Sequence, residues 1–225
     1  MRLRLCHLGL VDYQVVRELQ LQLVAARLRG GQDDTVLVTE HPAVFTLGRR
    51  GSREHLGVPE SFLAGRGIEV VQIERGGDIT YHGPGQLVVY PIVHLRANHL
   101  SVTEHVTRLE ELMLRLAADC GVTARRDSRG RGVWCSGDKL GSVGIAVRHG
   151  VAFHGLALNV NTSLLPFSWI NPCGLCGVRM TSLARESGRD VPTIEVARLL
   201  PHHLQEVFGG VVEIGSEDLF RKEAA

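Results

Sequence analysis

Two cysteines, Cys173 and Cys176, stand three positions apart in the stretch WINPCGLCGVRM. Such a pair occurs in proteins as half of a zinc site, as a redox pair, or as one reactive thiol beside an unused one. A zinc site needs four nitrogen or sulfur ligands, and the chain has no second close cysteine pair. A redox pair begins a helix, whereas Pro172 and Gly174 favour a bent loop. The pattern favours a single reactive thiol or two inert ones.

Cys173 is the candidate nucleophile, because Pro172 and Gly174 let the backbone turn sharply and approach a substrate. A thiol reacts as its thiolate, which a nearby cation stabilises. The candidate cation is Lys139: 23 of the 25 basic residues are arginines, and the other lysine is Lys222, near the end of the sequence. A lysine loses its proton when partly desolvated, whereas an arginine does not. A solvated strand end is the alternative explanation for Lys139.

The other cysteines, Cys6, Cys120 and Cys135, lie on predicted regular elements beside apolar neighbours. Buried cysteines of this kind ordinarily behave as small hydrophobic side chains. Five cysteines scattered over 225 residues do not form the disulfide pattern of a small secreted protein. The sequence also has no apolar run typical of a signal peptide or a membrane-spanning helix. We therefore expect a cytoplasmic protein with reduced thiols.

A second group of polar residues lies in the glycine-rich stretch RGGDITYHGPGQ, residues 75–86. The glycines predict a loop whose backbone comes close to a ligand. The polar or stacking walls of this loop would be Arg75, Thr80, Tyr81, His82 and Gln86. Neither a P-loop nor a dinucleotide-binding pattern is present. Two tight turns between strands would also explain the glycines, and His82 fits a hydrogen-bonded core residue equally well.

Alternating and continuous apolar runs predict the strands that must position these residues. They are LRLCHLGL, TVLVTE, AVFTLG, IEVVQIE, QLVVYPIVHL, GVWC, KLGSVGIAV and VAFHGLALNV. Turn signals at Gly137-Asp138 and His149-Gly150 join the last three into antiparallel hairpins.

Three helices are predicted between these strands. The first follows Asp12 as N-cap and ends at Gly30-Gly31, and the second runs from a Ser101–Glu104 capping box to Asp119. The third begins at Thr193 or the residue beside it and ends near Val207. Strands and helices without regular βαβ alternation predict an α+β fold, a mixed, largely antiparallel sheet flanked by helices. We expect one catalytic domain over residues 1–225.

The net charge of +1 and the pI near 7.8 argue against binding to nucleic acid or to a membrane surface. Arginines are nevertheless concentrated in two places, at Arg49, Arg50 and Arg53 and in the run from Arg125 to Arg131. These are candidates for steering an acidic partner, although solvated loops would carry the same residues.

Three segments together resemble the lipoyl(octanoyl) transferases, a family related in fold to the biotin and lipoate protein ligases. The segments are RGGDITYHGPGQLVVYPI, then DKLGSVGIAV with HGLALNV, then NPCGL followed by TSL. The resemblance spans roughly residues 30–190. It implies transfer of an octanoyl or lipoyl group from acyl carrier protein to a lysine of lipoyl domains, the first step of protein lipoylation. Acceptors would be the 2-oxo acid dehydrogenase acyltransferase subunits and the glycine cleavage H protein.

The same resemblance implies a set of site residues. Cys173 would form an acyl-thioester, and Lys139 would lower the pKa of its thiol and act as acid and base. The implied substrate-binding residues are Arg75, Gly76, Gly77, Asp78, Ile79, Thr80, Tyr81, His82, Ser142, Val143, Gly144, Gly155, Leu156 and Ala157. No metal, ATP or other cofactor is expected. The resemblance gives Cys176 no role, and we interpret it as a bystander.

Two other functions remain open at this point. The first is an ATP-dependent lipoate or biotin ligase of the same fold, which an assay with free octanoate and ATP would distinguish. The second is a non-enzymatic zinc or scaffold protein that uses the Cys173–Cys176 pair, which metal analysis would distinguish.

Overall fold

A seven-stranded sheet forms the centre of the chain, in a computed structural model that describes residues 1–30, 33–171 and 178–215. Its strand order is β10-β1-β2-β6-β9-β8-β7. The strands are β1 (Arg2–Leu10), β2 (Asp34–Glu40), β6 (Gln86–His94), β7 (Gly132–Cys135), β8 (Asp138–Arg148), β9 (Val151–Asn159) and β10 (Val211–Ile214). The strand β1 pairs in parallel with β10 and β2, and every other pairing in this sheet is antiparallel.

A separate three-stranded sheet has the order β4-β3-β5. Its strands are β3 (Val44–Leu47), β4 (Glu69–Gln72) and β5 (Ile79–His82). The central strand β3 pairs in parallel with β4 and antiparallel with β5. The sequence did not predict the division of the strands into two sheets: His41 and Pro42 separate β2 from β3, and the chain after them enters the second sheet.

Helices cover both faces of the large sheet. The α-helices of the described residues are α1 (Tyr13–Leu28), α2 (Glu60–Ala64), α3 (Val102–Asp119), α4 (Leu183–Ser187) and α5 (Thr193–Phe208). Of these, α2 packs on the small sheet, where Leu63 lies in the core with Phe45. The strand β2 shows how the faces divide, since Val36 and Val38 pack into one hydrophobic core and Leu37 into the other. The first core contains apolar residues of α3 and α5, and the second contains those of α1. The α+β class with a mixed, largely antiparallel sheet is confirmed.

The predicted helix starts are also seen in the structure. Asp12 accepts hydrogen bonds from the backbone amides of Gln14 and Val15 at the start of α1. Ser101 and Glu104 form the capping box of α3, each side chain accepting from the other's backbone amide. At α5 the N-cap is Pro192, the residue beside Thr193, and it gives no side-chain cap. None of the helices in the described ranges is long and apolar enough to cross a membrane.

Two tight hairpins place β7, β8 and β9 side by side. His149 and Gly150 both have positive φ, 48° and 89°, as a two-residue hairpin turn requires. The other turn uses Ser136 and Gly137, with φ of 50° and 90°, so it lies one residue before the predicted Gly137-Asp138. Asp138 is therefore the first residue of β8, and Lys139 is the second.

Candidate active site

Lys139 lies at the start of β8, and only 9 % of its surface is exposed. It is paired across the hairpin with Trp134, which is fully buried. Its Nζ lies 5.4 Å from the centroid of the Trp134 ring, a distance typical of a cation–π contact. The side chain is therefore held against an aromatic surface, and it is not the solvated end of a strand.

The surroundings of Lys139 shift its proton affinity. Burial lowers the pKa of its ammonium from 10.5 to about 8, the Glu110 carboxylate raises it, and the Arg75 guanidinium lowers it. Glu110 is itself buried and accepts a hydrogen bond from the backbone amide of Gly132 over 3.0 Å. Near neutral pH, both the ammonium and the neutral amine of Lys139 are accordingly populated.

The predicted nucleophile Cys173 and its neighbour Cys176 lie outside the described residues, but the chain on either side of them is described. On one side, Asn171 donates its backbone amide to the His55 carbonyl oxygen over 2.8 Å. The His55 Nδ1 lies 2.6 Å from an Asp78 carboxylate oxygen. One flank is thus joined through His55 to the glycine-rich segment.

The opposite flank is bonded to the strand that carries Lys139. The backbone amide of Lys139 donates to the Arg179 carbonyl oxygen over 2.8 Å, and the Thr181 amide donates to the Lys139 carbonyl oxygen over 2.9 Å. The Arg179 Nε also lies 3.1 Å from an Asp138 carboxylate oxygen. The described chain before segment 172–177 is therefore bonded to His55, and the described chain after it is bonded to Lys139.

Arg75 ties the glycine-rich segment to both sheets. Its side chain is buried, and Nη2 donates to the backbone oxygen and to Oγ1 of Thr46 over 2.7 and 3.0 Å. The next residue, Gly76, donates its amide to the Ile145 carbonyl oxygen on β8 over 2.8 Å. The Arg75 guanidinium is thus a buried positive charge held in a fixed position next to β8.

Residues 79–82, which the sequence placed in a loop, form the strand β5, so this prediction was wrong. Alternation explains the strand: Ile79 and Tyr81 pack into the core of the small sheet with Phe45, whereas Thr80 pairs with Thr46. The Tyr81 ring lies 5.3 Å from the Phe45 ring, centroid to centroid. The side chains of Ile79 and Tyr81 therefore stabilise the small sheet.

His82 is buried and hydrogen-bonded on both ring nitrogens. Its Nδ1 lies 2.7 Å from Gln86 Oε1, and its Nε2 lies 3.4 Å from Thr46 Oγ1. The ring also stacks on Tyr13. Burial, with a smaller effect of the nearby His41, lowers the pKa of His82 to about 3. His82 is therefore neutral at physiological pH and shapes the site through its hydrogen bonds.

The predicted residues of β8 and β9 are direct cross-strand neighbours. The pairs are Ser142 with Ala157, Val143 with Leu156, and Gly144 with Gly155. Gly144 allows close packing here, because a Cβ at this position would lie only 3.0 Å from Arg75 Cδ and 3.2 Å from the Gly76 oxygen. Leu156 and Val143 contribute instead to the main core.

A buried chain of hydrogen bonds that the sequence did not predict connects His82 to Lys139. Gln86 Nε2 donates to Asn159 Oδ1 over 2.9 Å, and Asn159 Nδ2 donates to the Thr181 carbonyl oxygen over 2.9 Å. Thr181 in turn binds the backbone of Lys139. Asn159 is the last residue of β9, and a polar residue within the apolar run HGLALNV was the available signal. Glu110 had a similar signal, a carboxylate on the apolar face of α3.

The cysteines predicted to be inert are buried and free: Cys6, Cys120 and Cys135. In the described ranges, one group of side chains has the spacing for a metal ion, namely His202, His203 and Glu206 on α5. None of these residues belongs to the predicted site.

Comparison with known proteins identifies the family. The model of the lipoyl protein ligase A/B catalytic domain matches residues 12–205. An octanoyltransferase of Desulfotalea psychrophila is 54 % identical over 215 residues, which cover 94 % of this chain and 96 % of the relative. The chain belongs to the octanoyltransferases of the lipoyl protein ligase A/B family. An octanoyltransferase of Syntrophobacter fumaroxidans is 50 % identical over 204 residues, 91 % of this chain and 90 % of the relative. The chain is thus an acyltransferase.

Solved structures of more distant proteins show the same fold. A lipoate-protein ligase A bound with ATP matches this octanoyltransferase with a TM-score of 0.76 at 17 % identity, covering 100 % of this chain and 97 % of that one. A putative lipoate protein ligase from Thermoplasma acidophilum gives 0.75 at 17 % identity, covering 98 % and 92 %. The biotin protein ligase of Aquifex aeolicus gives 0.51 at 12 % identity, covering 92 % and 69 %. The expected ligase-like fold is confirmed.

Proposed function

We propose that this octanoyltransferase moves an octanoyl group from acyl carrier protein to a lysine of lipoyl domains through a thioester on Cys173. The observation that supports this most is that the two flanks of segment 172–177 are hydrogen-bonded to Lys139 and, through His55, to Asp78. A buried lysine with a pKa of about 8 is suited to both steps of such a transfer.

In the first step, the Cys173 thiolate attacks the carbonyl carbon of the carrier-bound thioester. A new carbon–sulfur bond forms, the bond to the sulfur of the carrier breaks, and the carrier leaves as a thiol that takes its proton from the Lys139 ammonium, which becomes the neutral amine. The exchange of one thioester for another is nearly neutral in free energy, so no nucleotide is consumed. The Lys139 ammonium favours the thiolate during this step.

In the second step, the amine of the acceptor lysine attacks the acyl-thioester. The carbon–nitrogen bond forms, the bond to Cys173 breaks, and neutral Lys139 accepts the proton that the amine loses. The step leaves Cys173 as thiolate and Lys139 as ammonium, which is the pair that begins the first step. Lys139 therefore needs a pKa close to working pH, because it acts in both protonation states.

The acyl chain would lie between the glycine-rich segment and strands β8 and β9. Arg75 and Gly76 are in contact with Gly144, so the two predicted substrate-binding segments adjoin each other. The residues assigned to this role are 75–82, 142–144 and 155–157. We assign the contacts in segment 79–82 to Thr80 and the backbone, because the side chains of Ile79 and Tyr81 lie in the small-sheet core.

We propose as acceptors the lipoyl domains of the 2-oxo acid dehydrogenase acyltransferase subunits and the glycine cleavage H protein. We place the whole octanoyl-transfer reaction in one catalytic domain over residues 1–225. A cytoplasmic setting fits a reaction that requires Cys173 as a free thiol.

A transfer assay tests the proposal. The purified protein is mixed with octanoyl carrier protein and an apo lipoyl domain without ATP, and the mass of the lipoyl domain is followed. We expect one octanoyl group on the acceptor, and none with Cys173→Ser. Modification of the acceptor from free octanoate and ATP, without modification from the carrier-bound donor, would instead identify a ligase.

A further inference from the structure

Two adjacent arginines, Arg49 and Arg50, lie exposed just after β3. The Arg49 Nε donates to the backbone oxygen of Glu74 over 3.0 Å, and the Arg50 guanidinium makes no side-chain hydrogen bond within residues 1–30, 33–171 and 178–215. Neither guanidinium has a carboxylate partner within the same ranges. The two positive charges are therefore available to a partner from solution.

The backbone holds these arginines at the edge of the glycine-rich segment. The amides of Gly48, Arg49 and Arg50 donate to the carbonyl oxygens of residues 78, 75 and 77 over 3.2, 2.9 and 3.0 Å respectively. A Cβ at Gly48 would lie 2.6 Å from the Gly77 oxygen, so only glycine allows this close approach. The backbone that carries the two guanidiniums is thus held directly beside the residues proposed to bind substrate.

The second arginine group, in the loop 125–131, differs because its charges are largely neutralised within the chain. Arg126 lies 2.9 Å from a carboxylate oxygen of Glu111, Arg129 2.8 Å from one of Asp127, and Arg131 3.3 Å from one of Glu110. An acidic partner would have to compete with these carboxylates for the arginines. Arg53 is likewise paired, with Glu60.

We infer that Arg49 and Arg50 form the docking surface for the acidic carrier protein that delivers the acyl thioester. This inference rests on the proposed function. The donor brings negative charge to the site, both on its acidic surface and on the phosphate of the arm that bears the thioester. The acceptor must bring its lysine, which carries a positive charge until it loses a proton. The two adjacent guanidiniums of Arg49 and Arg50 would repel that charge at the same edge. The positive charge therefore matches the donor.

A pair of charge-reversal variants tests the inference. Arg49→Glu/Arg50→Glu is compared with Arg96→Glu/Arg198→Glu, which reverses two other exposed arginines and changes the net charge equally. Steady-state rates are measured with octanoyl carrier protein and with the octanoyl thioester of N-acetylcysteamine, each at a saturating concentration of apo lipoyl domain. The KM for the acceptor is measured separately.

We expect the KM for octanoyl carrier protein to rise about tenfold or more in the Arg49/Arg50 variant, as loss of charge complementarity predicts. The kcat/KM for the small thioester and the KM for the acceptor should change far less. In about 0.5 M salt, the KM values of the two variants for octanoyl carrier protein should become similar, because salt screens exposed charges. If the double variant also turns over the small thioester poorly, the same measurements are made on the single variant Arg50→Glu. This substitution disturbs no hydrogen bond of the guanidinium in the described part of the chain, so its KM for the carrier tests the inference.

Three results would overturn the inference: an unchanged KM for the carrier, an equal rise in the control variant, or a rise in the KM for the acceptor alone. Absence of any transfer by the unmodified protein is a different outcome, which contradicts the proposed function itself. The two failures are therefore distinguishable in one set of measurements.

Discussion

The backbone amide of Lys139 donates a hydrogen bond to the carbonyl oxygen of Arg179 over 2.8 Å. Arg179 lies on the chain that leaves segment 172–177, and the bond belongs to the main chain of both residues. Substitution of the Lys139 side chain leaves it intact. The effect of such a substitution therefore reports on the amine and not on the anchoring of the segment.

Replacement of Lys139 by methionine should abolish most transfer and stabilise the fold. We expect kcat to fall about 10²- to 10⁴-fold, the range for loss of a general acid or base. The pKa of Lys139 falls from 10.5 to about 8 in the folded chain, so protonation favours unfolding, and stability rises with pH between these values. At pH 7, the free energy of unfolding of Lys139→Met should therefore exceed that of the unmodified protein by about 1–3 kcal/mol.

Transfer rates and urea unfolding of the same Lys139→Met preparation check this prediction. Lys139→Arg is the matched control, because arginine keeps the positive charge but cannot act as a base. It should still form the acyl-enzyme and then accumulate it. Full turnover by either variant would remove Lys139 from the mechanism.

The pH dependence of aminolysis should follow the neutral form of Lys139. The rate of octanoyl transfer from the acyl-enzyme is expected to rise with pH and to level off above about pH 8, where the amine predominates. Glu110→Gln should move the midpoint to lower pH, because the Glu110 carboxylate raises the pKa of Lys139. Glu111→Gln, whose carboxylate faces Arg115 and Arg126, is the control. A midpoint that Glu110→Gln leaves in place would contradict the assignment.

Cys176 should be dispensable. We expect Cys176→Ser to keep most of the transfer activity, because the proposed mechanism uses one thiol. The measurement is kcat with octanoyl carrier protein, with Cys173→Ser as the inactive reference. Equal loss in the two variants would mean that the single-thiol assignment is wrong.

Three buried histidines should make the fold sensitive to acid. Burial lowers the pKa of His41 to about 4, of His82 to about 3 and of His105 to about 4. The unfolded chain therefore binds protons below about pH 6.5 that the folded chain does not, and stability falls as pH decreases toward 4. The free energy of unfolding can then change by up to about 4 kcal/mol per pH unit, if all three protons are taken up on unfolding.

Urea unfolding at several pH values between 4 and 7 measures this slope. His105→Leu removes one of the three titrating groups from a site where neither ring nitrogen has a partner among the described residues. The variant should show a shallower slope than the unmodified chain. A free energy of unfolding that does not change over this range would contradict the prediction.

Elements with strong local signals could be predicted from the sequence. The Ser101–Glu104 capping box marks the start of α3, and the positive-φ residues His149 and Gly150 mark the hairpin between β8 and β9. Both signals depend on residues that are close together in the chain. The role of Lys139 was inferred from composition, its rarity among 23 arginines, and stays a prediction.

Features that depend on distant pairing could not be predicted. The alternation of Ile79 and Tyr81 with Thr80 and His82 is a strand signal, but glycines on both sides obscured it. The strand forms because β3 pairs with it from residues 44–47. Likewise, the effect of the Glu110 carboxylate on the pKa of Lys139 arises from the packing of α3 on β7 and β8, for which the sequence gives no register.

The central claim is that the acyl group passes through a thioester on Cys173. Intact-protein mass spectrometry after brief incubation with octanoyl carrier protein, without acceptor, tests this directly. The account predicts a mass increase of one octanoyl group that hydroxylamine removes and that Cys173→Ser lacks. An unmodified protein that still octanoylates lipoyl domains, or an equal mass increase in Cys173→Ser, would contradict it.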